Sequence, residues 1–113
     1  MTANGISLAE YQAQVWRAMT EAQFQSLVVA LAARQGWAHI YHTHDSRRSQ
    51  AGYPDLHMLR GERSLFAELK RMGRKPTPAQ DSWLSALREA GHEAYSWRPC
   101  DMPEIERVLG GEE

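Results

Sequence analysis

Two carboxylates and one lysine lie close together in the middle of the sequence, as Asp55 and the pair Glu68 and Lys70. Side chains of a strand alternate between its two faces, so Glu68 and Lys70 share one face of a strand over this segment. Asp55 follows a proline, whose ring favours extended geometry just before it. We therefore expect Asp55 to begin a neighbouring strand.

A turn connects these two predicted strands. Residues 60–64 contain one glycine and four polar residues, a composition typical of a hairpin. Folding the two strands together would bring Asp55 near Glu68 and Lys70. This set of side chains suits metal-assisted cleavage of a phosphodiester, because two carboxylates can hold Mg²⁺ or Mn²⁺ and a lysine can position water or neutralise developing charge. The alternative is a surface hairpin with a weak Glu–Lys ion pair.

A longer pattern strengthens the first interpretation. Gly-x-Pro-Asp-Leu at 52–56 is followed by Glu-Leu-Lys at 68–70 and by Thr-Pro-Ala-Gln at 77–80. Over residues 20–98 the chain resembles the VRR-NUC nucleases of the PD-(D/E)xK superfamily. The resemblance implies a restriction-endonuclease-like core and a divalent-metal site.

The resemblance also implies roles for residues with ordinary structural explanations. Glu21 is expected to join Asp55 and Glu68 as a metal ligand, although it also suits the first turn of a helix, where it would complement the helix dipole. Glu10 is a weaker candidate for the same role. The Leu69 carbonyl is expected as an additional ligand. Gln80 is expected to support the substrate or Lys70, and it also fits a capping box that begins at residue 77.

Charge is distributed unevenly along a chain of net charge −1. Positions 47–75 hold eight basic and three acidic residues, whereas positions 89–113 hold seven acidic residues and two arginines. This pattern favours contact with a polyanion on one face. The side chains expected to hold DNA phosphates are Arg47, Arg48, Arg71, Arg74 and Lys75. The alternative is that these residues merely solvate loops.

The size and composition of the chain limit the classes of protein that fit. Its 113 residues suit one compact domain, with 1–19 as an amino-terminal extension, 20–109 as the nuclease domain and 110–113 as a tail. Residues 1–6 carry no pattern of a folded element. No apolar run approaches the roughly 20 residues of a membrane helix. The single cysteine, Cys100, fits a reducing compartment, and we expect the cytoplasm of a bacterial or phage-infected cell.

The apolar periodicity predicts the order helix, helix, strand, two hairpin strands, helix, strand and short helix. The fold class is therefore α/β, with a mixed sheet of about four strands flanked by helices. Histidines at 42 and 44 precede Asp45, but they do not complete a metallohydrolase signature, and we interpret them as polar residues at a strand end.

These features predict a divalent-metal-dependent, structure-specific endonuclease that acts on DNA. The resemblance to small stand-alone VRR-NUC proteins favours branched DNA, a Holliday-junction resolvase-like activity and a homodimer, whose helix over residues 7–19 could supply the contact. The alternatives are a nickase, flap or duplex endonuclease, a DNA-binding module that does not cut, and an adaptor or inhibitor that needs neither metal nor a basic loop.

Overall fold

The computed structural model describes residues 2, 3, 5–43 and 50–111. Arg47 and Arg48 therefore lie outside the described residues, as do His44 and Asp45. The helices are α1 (Leu8–Ala18), α2 (Glu21–Arg34), α3 (Pro78–Glu89) and α4 (Met102–Leu109). The strands are β1 (Thr2–Ala3), β2 (Ile6–Ser7), β3 (His39–His42), β4 (Leu56–Arg60), β5 (Arg63–Leu69) and β6 (Glu93–Trp97), and a 3₁₀ turn (Pro99–Asp101) precedes α4.

A mixed four-stranded sheet organises the domain, in the order β3-β4-β5-β6. β3, β4 and β5 pair antiparallel, whereas β5 and β6 run parallel with α3 between them in the chain. A parallel pair needs such a crossover, because a tight turn reverses the direction of the chain and can connect only antiparallel strands. The predicted α/β class and strand number are confirmed.

The two faces of the sheet are covered by different helices. On one face, Leu65, Ala67 and Leu69 of β5 belong to the main core, which α2 and α4 complete. On the other, Phe66 packs with Leu84 of α3 and with Ala94. The alternation predicted for β5 is thus observed, and the strand is buried on both faces.

Capping boxes fix the start of three helices. Ser7 and Glu10 cap α1, and the pairs Thr20–Gln23 and Thr77–Gln80 cap α2 and α3. In each box a side-chain oxygen accepts from a backbone N–H at 2.8 to 3.2 Å. Such boxes satisfy donors that the first helical turn leaves without partners. They set the register of α2 so that Glu21 is its first residue.

The amino terminus differs from the expectation that residues 1–6 form no folded element, because β1 and β2 pair antiparallel there. Trp37 also lies outside β3, although the apolar residues over 37–43 predict a strand that begins at Trp37. Its side chain is buried, and its indole Nε1–H donates to the Leu109 carbonyl at 3.0 Å. Its backbone N–H donates to the Ala32 carbonyl at 3.0 Å, so Trp37 still belongs to the turn that ends α2.

Two arginines of the basic middle segment have structural partners. Arg60 donates to the carbonyl of Leu109 at 3.0 Å, and Arg63 donates to the carbonyl of Val108 at 3.1 Å. Both guanidinium groups also lie over the Trp37 ring. They satisfy the last carbonyls of α4, where a positive charge complements the helix dipole. Part of the positive charge in this segment therefore stabilises the fold.

The turn before Asp55 is fixed by close packing on α3. Gly52 has a φ of +87°, and a Cβ there would lie 2.6 Å from the backbone carbonyl of Ala79. Tyr53 packs edge-on against Trp83, with ring centroids 5.1 Å apart. A side chain at position 52 would therefore push the turn away from α3, and Asp55 with it.

We predict that Gly52→Ala lowers the free energy of unfolding by about 2 kcal/mol or more, through a left-handed backbone and overpacking. The matched control is Gly73→Ala, because Gly73 has a similar φ of +85° but nothing within 4 Å of its added Cβ. Urea denaturation of both variants measures the difference. Equal losses in the two variants would contradict the close-packing argument.

Candidate functional site

The hairpin register brings Asp55 and Glu68 together. Leu56 pairs with Ala67, so Asp55, which directly precedes β4, lies next to Glu68 at the end of the sheet. The Leu69 N–H donates to Asp55 Oδ2 at 2.8 Å and holds that carboxylate at the end of the sheet. The two carboxyl groups that the sequence singled out are therefore neighbours.

Glu68 is buried, and few neighbouring groups stabilise a negative charge on its carboxylate. Its side chain is 2% exposed, and its Oε1 has no hydrogen-bond partner among the described residues. The other oxygen, Oε2, lies 3.6 Å from Lys70 Nζ. Burial and, to a smaller extent, the Asp55 carboxylate raise the pKa of Glu68 to about 8, although Lys70 opposes the rise. Without a cation, Glu68 therefore carries a proton at neutral pH.

Lys70 follows β5 directly and lies at the same end of the sheet. Its backbone N–H donates to the Trp97 carbonyl at 2.9 Å, which anchors the residue to the end of β6. Its side chain is 14% exposed and reaches toward Glu68. The ammonium group is therefore held beside the two carboxylates.

A cleft of about 330 Å³ lies beside Asp55, and Glu21, Ala22, Gln25 and Leu69 complete its lining. Glu21 reaches the cleft because the Thr20 cap begins α2 at that residue. Within residues 2–3, 5–43 and 50–111, no group of three His, Cys, Asp or Glu side chains is close enough to hold a metal ion. The described arrangement is a carboxylate pair, with Glu21 on the cleft that Asp55 also lines. The lining does not include Glu10, whose side chain caps α1.

Gln80 is engaged in the cap of α3. Its Oε1 accepts from the Thr77 N–H at 2.8 Å, as the capping-box interpretation predicts. Its amide nitrogen would therefore make any supporting contact to Lys70 or to a substrate. That second role stays a prediction.

Gln25 also lines the cleft, although it was not among the predicted site residues. It follows Glu21 by four residues, a spacing that places both on one side of a helix. Its Nε2 lies 2.9 Å from His42 Nδ1, so α2 and β3 meet through polar side chains beside the cleft. The four-residue spacing was visible in the sequence, but the contact with His42 depends on how α2 docks against β3.

The basic residues of the 71–75 segment follow the site directly. Arg71, Arg74 and Lys75 are exposed in the loop between β5 and α3. A hydrogen bond from the Arg74 N–H to the Arg71 carbonyl, at 3.2 Å, forms a turn in this loop. Three cations therefore border the end of the sheet that holds the carboxylates.

Comparison with known proteins supports the fold. No family model and no curated protein matches the chain. A solved structure described as a VRR_NUC domain protein superposes with a TM-score of 0.64 at 28% identity, covering 80% of this chain and 85% of that one. The chain thus has a VRR-NUC-like, restriction-endonuclease-like α/β fold, and the resemblance inferred from the sequence is confirmed. No helix among the described residues is long and apolar enough to cross a membrane.

The raised pKa of Glu68 predicts a pH dependence of stability. In metal-free protein, the unfolded chain loses this proton near pH 4.5, whereas the folded chain holds it until about pH 8. The contribution of Glu68 to stability is therefore full below pH 4.5 and is lost as pH rises through about 8. Glu68→Gln should remove this loss, so its melting temperature relative to the unsubstituted protein should rise between pH 5 and 8.

Thermal unfolding in EDTA across this pH range measures the effect. The control is Glu62→Gln, because Glu62 is exposed at the hairpin turn. A constant difference in melting temperature between Glu68→Gln and the unsubstituted protein would contradict the assignment of a buried, protonated acid.

Proposed function

We propose that the chain is a divalent-metal-dependent endonuclease that hydrolyses DNA phosphodiester bonds, with branched DNA of the Holliday-junction type as its substrate. The observation that carries the proposal is the pairing of Asp55 with buried Glu68 beside Lys70. A nuclease-type activity is also consistent with the VRR_NUC domain neighbour. Burying an acid costs free energy, and a structural ion pair needs no orphaned oxygen. A site that binds a cation accounts for both features.

The donors fit Mg²⁺ or Mn²⁺. Asp55 and Glu68 offer hard carboxylate oxygens, and Glu68 Oε1 is buried without a partner among the described residues. We propose that Asp55, Glu68, the Leu69 carbonyl and Glu21 hold the ion. When bound, it would polarise the phosphate and lower the pKa of a coordinated water.

The residues around the ion would have separate tasks. The Leu69 N–H orients Asp55, so the carboxylate needs no reorganisation when it binds. Glu68 would give up its proton as a cation binds, so cation affinity should increase toward pH 8. Lys70 would orient the attacking water or neutralise charge on the phosphate, with Gln80 supporting it.

Phosphates would be held by the basic residues that border the site. Arg71, Arg74 and Lys75 are exposed beside Lys70. Arg47 and Arg48 belong to the same proposal from the sequence alone. Contacts of this kind position DNA without reading its sequence, and they weaken with salt.

A homodimer is part of the proposal. α1 buries none of its residues, and Leu8 and Tyr11 are 67% and 56% exposed on it. Val15 and Leu27 extend this apolar surface. A two-fold dimer formed there would present two cleavage sites, which matches the symmetry of a four-way junction.

A DNA-binding module that does not cut is the second candidate. It is favoured by the lack of a preformed three-ligand metal cluster in the described part of the chain. Metal-dependent cleavage separates this candidate from an endonuclease. Within endonucleases, a nickase, flap or duplex specificity differs from a resolvase only in the preferred DNA structure.

We predict that Asp55→Asn and Lys70→Gln each reduce cleavage by at least about 100-fold, because each removes a group that acts on the developing charge. The assay is a panel of fluorescent four-way junctions, flaps, splayed arms, duplexes and single strands, each with Mg²⁺ or Mn²⁺. The control is Glu62→Gln, which should cleave normally. Full activity of either Asp55→Asn or Lys70→Gln would contradict the assigned roles. In the four-way junctions, a resolvase should make two symmetrically related cuts.

We predict that Tyr11→Glu converts the dimer to a monomer, because it places a charge in an apolar contact. Light scattering at micromolar concentration measures the mass. Leu59→Glu is the control, since Leu59 is a similarly exposed apolar residue on the sheet. A monomeric unsubstituted protein would exclude the dimer, and loss of the dimer in Leu59→Glu alone would move the interface to the sheet.

A further inference from the structure

The sheet face that carries Glu68 also carries a row of rings. Tyr41 of β3 pairs with His57 of β4, and His57 pairs with Phe66 of β5. The His57 and Phe66 rings are stacked, with centroids 4.0 Å apart and planes at 8°. Three rings on three adjacent strands therefore lie side by side on one face.

Only one end of this row is covered. Phe66 is buried beneath α3, where Leu84 and Tyr53 pack against it. At the other end, Tyr41 is 63% exposed on the edge strand. The row thus leads from the core to an exposed aromatic side chain on the edge strand.

The row lies next to the carboxylates. His57 of β4 follows Asp55 by two residues, a separation of about 7 Å along an extended chain. Thr43 follows Tyr41 by two residues, and its N–H donates to the Asp55 carbonyl at 2.9 Å. The distance between Tyr41 and the proposed metal site is therefore about the length of one nucleotide.

Among the described residues, the surface beside Tyr41 has no negatively charged side chain that would repel a nucleic acid. A depression of about 380 Å³ beside Tyr41 is lined by Ala38, His39, Ile40, His57 and Leu59 as well, without an acidic side chain. The apolar groove along α1 differs, since Glu106 lines it. Open rings on a sheet are a common surface for stacking unpaired bases, because every base has a π-face.

We propose that Tyr41, on the strand next to the His57–Phe66 stack, binds an unpaired nucleobase next to the phosphate that is cut. The inference rests on the proposed nuclease function and deepens it, because it names the substrate feature that the site selects. Bases inside a duplex are stacked on their neighbours and cannot reach the ring. DNA with unpaired or easily unstacked nucleotides at a branch would therefore bind more tightly than blunt duplex.

The test measures binding of the full chain to DNA, with Ca²⁺ replacing Mg²⁺, by fluorescence anisotropy. The probes are a splayed arm and a four-way junction with 2-aminopurine at the branch, and a blunt duplex of the same sequence. Tyr41→Ala and Tyr41→Leu remove the ring, and the second keeps apolar surface. Tyr41→Phe and Tyr41→Trp keep a ring and serve as matched controls.

We expect Tyr41→Ala and Tyr41→Leu to bind the branched probes roughly tenfold more weakly, with duplex binding unchanged. Tyr41→Phe and Tyr41→Trp should bind as the unsubstituted protein does and should quench 2-aminopurine equally. Unchanged binding by Tyr41→Ala, or an equal loss on duplex, would overturn the inference. A change from dimer to monomer in Tyr41→Ala would instead assign the face to a second copy, and would also overturn it.

Failure of this inference can be distinguished from failure of the proposed function. Metal-dependent cleavage by the unsubstituted protein, together with normal binding by Tyr41→Ala, would overturn the stacking site alone. Absence of cleavage on every DNA with either metal would overturn the proposed function, whatever the result at Tyr41.

Discussion

The burial of Glu68 is the constraint on which this domain depends. A carboxylate taken out of water loses several kcal/mol of solvation unless charge or hydrogen bonds replace the water. Here one oxygen has no partner among the described residues and the other has Lys70 at 3.6 Å. The carboxyl group is therefore protonated unless a cation binds beside it. In either state, the residues that the fold places around Glu68 determine the free energy of burying it.

Local interactions, namely a hairpin turn and a close backbone contact, position those residues. A two-residue turn, with Gly61 at positive φ, connects β4 and β5 and fixes their register. That register sets Asp55 next to Glu68. The close contact between Gly52 and Ala79 fixes the turn that leads into Asp55, and it links the site to the start of α3. A one-residue slip of the hairpin would move Glu68 to the other face and separate the pair.

Much of this was predictable because it is local. The hairpin, the three capping boxes and the alternation of β5 each follow from residues within a few positions of one another. Contacts between distant elements were not predictable in this way. The Gln25–His42 hydrogen bond and the attachment of Arg60 and Arg63 to the end of α4 depend on docking, which periodicity does not specify. The strands of residues 2–7 were missed because two residues are too few to show a period. The roles of Glu21 and Gln80 come from a resemblance, and the geometry adds that one lines the cleft while the other caps a helix.

The central claim is that Asp55 and Glu68 share one divalent ion. The most direct measurement is anomalous X-ray scattering from crystals soaked in Mn²⁺, for the unsubstituted protein and for Glu68→Gln. We predict a manganese peak bridging the Asp55 and Glu68 carboxylates that disappears in Glu68→Gln. Occupied manganese sites elsewhere on the protein, with none between these two side chains, would contradict the account.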